Sequence, residues 1–151
     1  MDTQKIKIYK DREIACMPPD AEPGRNVFIA LVRKGKLNYR FGGQSLVYGK
    51  GLVTMLNLFP GDGIETGEDF SGYVLSLPAG MLYDTGAPGM LNDSAAQMDG
   101  ISLSDSEVRT LNRYLTLIRN SSGNADSPLA AMETDCLCRA FLAKCNKYRS
   151  K

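Results

Sequence analysis

The segment Gly43-Gln44-Ser45-Leu46-Val47-Tyr48-Gly49-Lys50 carries the residue types of a phosphate-binding loop, but not its spacing. Five residues separate the two glycines where such a loop has four, and Gly51 stands where Ser or Thr would hold magnesium. Ser45 lacks the second glycine of a nucleophile elbow, and the chain contains no His to activate it. The absence of His removes the Ser-His-Asp and Cys-His arrangements, the helix-borne zinc-protease pair and the zinc finger. It also removes the imidazole ligands that most catalytic metal sites use. Carboxylates occur close together as Glu65 with Asp69 and as Glu68 with Asp69. They would do acid–base work only if buried with shifted pKa values. Set among glycines, they read as solvated loop.

Four cysteines remain, Cys16, Cys136, Cys138 and Cys145. Cys136 and Cys138 are two apart, which on a helix places them on different faces, and no C-x-x-C occurs. A thiolate zinc site joining three helix cysteines to Cys16 is the alternative to the plain reading, reduced thiols packed as small hydrophobes in a cytoplasmic protein. No signal peptide opens the chain and no apolar run reaches membrane-spanning length.

The elements that position these groups change character near residue 100. Before it, short apolar runs alternate with glycine turns. Val27 to Val32 is apolar enough for a strand buried on both faces. Lys34-Gly35-Lys36 turns the chain, and Leu37-Asn38-Tyr39-Arg40-Phe41 then alternates with period two. Gly42-Gly43 is a hairpin signal before Ser45 to Tyr48, and Gly49-Lys50-Gly51 leads into Leu52 to Asn57. Pro60-Gly61-Asp62-Gly63 is a further break, and Gly72 to Leu77 is the last clear strand, with an irregular connection expected over Pro78 to Gly100. Strands this short and evenly spaced predict a small antiparallel sandwich or barrel.

After residue 100 the period is helical. Ser104 with Glu107 makes a capping box, followed by the apolar stripe Val108, Leu111, Leu115 and Ile118, widened by Tyr114. Asn120-Ser121-Ser122-Gly123-Asn124 predicts its end. Ser127 before Pro128 caps a second helix running to about Tyr148, with a broad apolar face from Leu129 onward. A face that wide points either to helix-on-helix packing or to a second subunit.

With 151 residues the chain is sized for one domain, and it can bury roughly 70% of its unfolded surface without a disulfide or metal. Hydrophobic residues make up 43% and the net charge is +1, so the chain as a whole is no polyanion binder. The charge is unevenly spread. From Gly51 to Val108 there is no Lys or Arg, whereas after Asp135 the chain carries Arg139, Lys144, Lys147, Arg149 and Lys151 without an acid. Neither helix offers the basic, base-reading face that specific DNA recognition requires.

The run Phe28 to Gly43 resembles the opening hairpin of the cupin-like domain in AraC-type bacterial transcription regulators. Gly49-Lys50-Gly51-Leu52 stands where that family often has a Gly-Asp turn, with Gly51 or Leu52 in place of the acid. Pro60-Gly61-Asp62 is similar to its following turn, Phe70-x-Gly72-Tyr73-Val74-Leu75 to its next strand, and Ser104-x-x-Glu107 with Leu111 and Tyr114 to its first helix. The resemblance implies a double-stranded β-helix, a jelly-roll barrel binding a small effector, over residues 1–100. Two helices used for dimerisation would then be packed on it over 101–151. It also implies a DNA-binding domain beyond Lys151.

The expected function is thus an effector-sensing and dimerisation domain, cytoplasmic, without cofactor or metal and not itself an enzyme. The expected partners are a second copy and a small molecule, a sugar being one candidate, with DNA reached only through the following domain. The rivals are a metal-independent cupin enzyme of the sugar isomerase or epimerase type and a barrel that serves only to dimerise. For the ligand site the alternation selects Leu37, Tyr39, Phe41, Met55, Tyr73 and Leu75 as inward residues, with Tyr39 and Tyr73 offering hydroxyls. A register error of one residue would reverse the faces. For the dimer interface the broad helix face selects Leu129, Met132, Leu137, Phe141 and Tyr148.

Lacking His and with its cysteines badly spaced, the purified chain is expected to hold no stoichiometric transition metal. Elemental analysis returning about one zinc, iron or manganese per chain would exclude this reading of the residues.

Overall fold

In a computed structural model the described residues are 6–17, 26–41, 43–56, 63–81, 100–123 and 127–149. The central element is β2 (Asn26–Lys34), in which Val27 to Val32 are all buried. It pairs antiparallel with β7 (Ser71–Pro78) on one side and β5 (Leu52–Leu56) on the other. β1 (Lys7–Lys10) extends this sheet beyond β7, and the two-residue β8 (Ile101–Ser102) extends it beyond β5. A second antiparallel sheet has β3 (Leu37–Phe41) between β4 (Gln44–Tyr48) and β6 (Gly63–Thr66). Among the described residues no strand is shared by the two sheets. The architecture is two antiparallel sheets plus C-terminal helices.

Local chemistry explains the turns. Gly35 follows β2 at φ +74, and a Cβ there would meet the backbone of Asp69 and Phe70 at 2.7 Å. Only glycine fits this left-handed, crowded position. Gly51 at φ +84 makes the turn into β5, donating its N–H to the Val32 carbonyl at 2.8 Å.

Alternation along β2 divides the apolar residues into two cores. Phe28, Ala30 and Val32 meet Leu37, Tyr39, Tyr48, Leu56 and Val74 between the sheets. Ile14 and Met17, from the 3-10 segment Asp11–Cys16 and the residue after it, complete this interior. Val27, Ile29 and Leu31 face the opposite way, with Val53 and Leu77, against the helices. The first helix, α1 (Asp105–Ser122), starts with the expected capping box: Ser104 Oγ accepts from Glu107 N–H at 3.2 Å, and Glu107 Oε1 accepts from Ser104 N–H at 2.9 Å. Its Leu111, Leu115 and Ile118 are buried against the sheet. The second helix, α2 (Pro128–Arg149), begins where Ser127 Oγ accepts from Ala130 N–H at 3.2 Å, and it packs on α1. The buried hydroxyls of Ser121 and Thr134 meet at 2.7 Å and tie the two helices near their connection.

The structure corrects the reading in several places. β1, the 3-10 segment, β6 and β8 were not expected, and α1 runs on through Ser122. Asn57, Pro60-Gly61-Asp62 and most of the expected connection (82–99) lie outside the described residues, as does Gly42. The proposed dimer face is divided. Phe141 is fully buried within the chain's own core, and Leu137 and Tyr148 pack against that core, because the inner half of the α2 face covers α1. Leu129 and Met132 point outward, 76% and 63% exposed. Phe141→Ala is therefore expected to cost about 3–5 kcal/mol in urea denaturation. The double change of Leu137 and Phe141 to Glu should abolish cooperative melting rather than give a folded monomer. A folded, soluble double variant would place both side chains outside the core.

Candidate functional site

Two regions bear on the expected ligand site. The first is the interior between the sheets, where β3 supplies Leu37 and Tyr39 and β4 supplies Tyr48, all buried. By strand alternation Thr54 shares the face of Leu52 and Leu56, and Ser76 that of Val74, so two buried hydroxyls accompany the apolar lining. Of the six residues selected from the sequence, Leu37 and Tyr39 lie here. Met55, Tyr73 and Leu75 do not: they lie on the other face of the five-stranded sheet, beneath the helices. Tyr73 Oη meets Thr116 Oγ1 of α1 at 3.0 Å, and the Lys10 ammonium stands 5.9 Å from its ring centroid. The six therefore do not share one cavity. The cause is a one-residue face reversal on β5 and β7, where Leu56 and Val74 face the interior instead. The side chain of Phe41 lies outside the described residues.

The second region is a groove of about 740 Å³ between β1, the 3-10 segment and the C-terminal end of α1. Ile6, Ile8 and Tyr9 give it an apolar wall, and Cys16 lies on its rim. Glu13 and Arg119 form a bidentate pair across it, with both Arg119 N–H groups donating to the two carboxylate oxygens at 2.8 Å. Lys10 N–H also donates to Glu13 Oε1, at 2.9 Å. The hydrogen bonds from Arg119 and from the Lys10 amide hold the Glu13 carboxyl well below the usual range, at about 2. Burial raises the Tyr9 hydroxyl. Asp11 enters the 3-10 segment at φ 51, and its Oδ1 accepts from Gly72 N–H at 2.9 Å, which fixes the segment against β7. Neither Glu13 nor Arg119 belongs to a motif in the sequence. Their separation of 106 residues offers no local signal.

The remaining chemical candidates are scattered. Cys138 and Cys145 are buried between helices and sheet, where burial raises both thiols, Cys138 to about 12. Cys16 and Cys136 are exposed. Among the described residues no three Cys, Asp or Glu side chains gather as metal ligands. Glu65, Glu68 and Asp69 are exposed, and Glu65 lies 3.7 Å from Arg40 on the outer face of the smaller sheet. Among the described residues no helix is long and apolar enough to cross a membrane.

No protein-family model and no curated protein matches the chain. Among solved structures it is similar to the AraC-like transcriptional activator CuxR, at 17% identity and a TM-score of 0.49. That alignment covers 95% of this chain and 54% of that protein, so the chain spans about half of its length. A likeness this distant carries no functional argument.

The Glu13–Arg119 pair has a defined pH dependence. Because the Glu13 pKa is lower folded than unfolded, its contribution is complete above the ordinary carboxylate range and fades as pH falls toward about 2. Glu13 is half-exposed, so solvent screening limits that contribution to about 0.2–1 kcal/mol. Glu13→Gln should lower the melting temperature slightly at pH 7 and leave it unchanged, relative to the parent chain, near pH 2. A deficit equal at both pH values would mean that the carboxylate charge is not what joins the segment to α1.

Proposed function

We propose that the chain is the effector-sensing and dimerisation portion of an AraC-type transcription regulator, its β-sheet part a cupin-like jelly roll, and that it is not an enzyme. The observation that carries this reading is the order of parts. Two antiparallel sheets pack an apolar interior with tyrosine hydroxyls between them, α1 then lies on the outer face of the larger sheet, and α2 packs on α1. This is the sequence of modules that the Phe28 to Tyr148 resemblance implies. Buried Thr54 and Ser76 add hydroxyls to those of Tyr39 and Tyr48 on the faces turned to the interior, groups suited to hydrogen-bonding a ligand. Regulation of DNA belongs, in this reading, to a following domain.

A second copy is proposed to cover the outer row of α2. Leu129 and Met132 stand exposed one turn apart, with exposed Cys136 on the same side a turn further on. Large apolar side chains grouped in this way favour a closed twofold contact. A second reading, a barrel that only dimerises, draws on the mutual packing of Leu37, Tyr39, Tyr48 and Phe28 in the interior.

Two measurements test these assignments. Melting the chain against a panel of sugars and related metabolites should reveal one class that raises the melting temperature with concentration, by mass action. Tyr39→Phe should reduce that rise. If no class does so, the dimerisation-only reading replaces the sensor. Light scattering on a sizing column should give a dimer for the parent chain. Leu129→Glu with Met132→Glu should give a monomer that melts within about 0.5 kcal/mol of the parent, as surface changes do. A parent chain that runs as a monomer would remove the dimerisation role.

A further inference from the structure

The net charge of +1 conceals a local concentration of cations. The two cationic borders of the stretch without Lys or Arg, separated by the whole of Gly51 to Val108, are brought together by the fold. Arg33 and Lys34 from the end of β2, Lys50 from the β4–β5 turn, and Arg109 and Arg113 from α1 line one cleft of about 430 Å³. We propose that this cleft binds a small molecule carrying two or more phosphate groups. The proposal is independent of the regulator reading and of the interior between the sheets.

Four observations support it. First, the cleft is concave and of the size that ligand sites have, about 300–1,000 Å³, unlike the extended strip that a nucleic-acid backbone needs. Second, its cations lack partners that their neighbours possess. Arg40, Arg119 and Arg139 each sit within 4 Å of a carboxylate, whereas no carboxylate among the described residues pairs with Lys34, Lys50, Arg109 or Arg113. Arg33 makes one long contact, 3.4 Å to Ser71 Oγ, and Asp105 is the single acid in the lining. Arg109 and Arg113 are one helical turn apart, a like-charge arrangement that costs stability unless an anion sits between them.

Third, the frame is fixed. Gly51 N–H donates to Val32 O, and Leu103 N–H donates to Gly51 O, both at 2.8 Å. These bonds lace the end of β2, the β4–β5 turn and the entry to α1 together, so the cationic side chains project from a preorganised rim. Preorganisation lowers the cost of binding. Fourth, Asn112 lines the cleft, and its Oδ1 is buried without a hydrogen-bond partner. An unmet buried acceptor is destabilising, and turning the amide toward a ligand hydroxyl would relieve it. Arginine forks match phosphate oxygens in pairs, while lysines act as point charges, and the cleft holds both. Five cations against one acid exceed what a monocarboxylate would neutralise and suit a multiply charged phosphate ester or anhydride.

The experiment is calorimetric titration of the whole chain with inorganic pyrophosphate, at low salt and at about 0.15 M salt. Expected is saturable binding of one pyrophosphate per chain that weakens with salt yet persists. Lys50→Gln and Arg113→Gln should each weaken it roughly tenfold, as loss of one charge-assisted contact does, and Arg113→Lys should retain most of it. Lys7→Gln with Arg12→Gln, in the N-terminal segment at the opposite edge of the larger sheet, should leave it unchanged. The substituted side chains are exposed, and unchanged melting curves would show that each variant is folded. Absence of saturable heat would overturn the proposal, as would equal weakening by the N-terminal control. A short DNA duplex that binds where pyrophosphate does not would also overturn it, making the cleft a nucleic-acid surface.

Discussion

The strand β2 has to be buried on both faces at once, and the remaining elements are arranged around that requirement. Val27, Ile29 and Leu31 need the helices above them, and Phe28, Ala30 and Val32 need the second sheet below. A charge at any of these six positions would enter one core or the other, where an unpaired ion is expensive. Because both faces are apolar, hydrophobicity alone does not choose the register; a slip of one residue would exchange two comparable sets of side chains. The choice falls to backbone fit. Gly72 lies opposite Val32 on β7, and a Cβ at Gly72 would run into the Leu31 carbonyl oxygen, so glycine is required at that one rung. The pairing shifts between Val32 and Lys34, bending the strand end where the turn at Gly35 begins.

This two-faced burial also explains how much was legible in the sequence. β3 was readable to the residue, because Leu37, Tyr39 and Phe41 alternate with Asn38 and Arg40 and so declare which face is wet. The start of α1 was readable from Ser104 and Glu107, and that of α2 from Ser127 and Pro128, since capping is a local interaction. On β5 and β7 the alternation carries no such sign. Met55 and Leu56, or Tyr73 and Val74, are equally apolar, and the faces were assigned in reverse. β1, β6 and β8 are two to four residues long and hold their shape only through neighbours distant in sequence. On α2 the apolar face was real, but most of it is the chain's own core.

The groups that could meet a ligand lie where elements meet and not inside any one of them. Glu13 and Arg119 join the N-terminal segment to the end of α1, a position where a cation also suits the helix dipole. The cationic cleft lies at the opposite seam, where the β2 end, the β4–β5 turn and the first turns of α1 come together. Such seams have no periodic signature, because their residues come from separate stretches of chain.

The two seams differ in how they handle charge, and the difference bears on function. At the first, a guanidinium and a carboxylate satisfy each other with two short bonds and an extra backbone donor, so the charge is spent on holding structure. At the second, like charges are brought together on a backbone laced tightly enough that the rim cannot simply spread apart. Folding gains nothing from that proximity in the free chain, and the i,i+4 arginines work slightly against α1. A local arrangement that opposes stability, on a frame that prevents its relaxation, is the expected mark of a binding site. The apolar interior of this fold supplies its stability, and the cationic seam is where a multiply charged ligand would add to it.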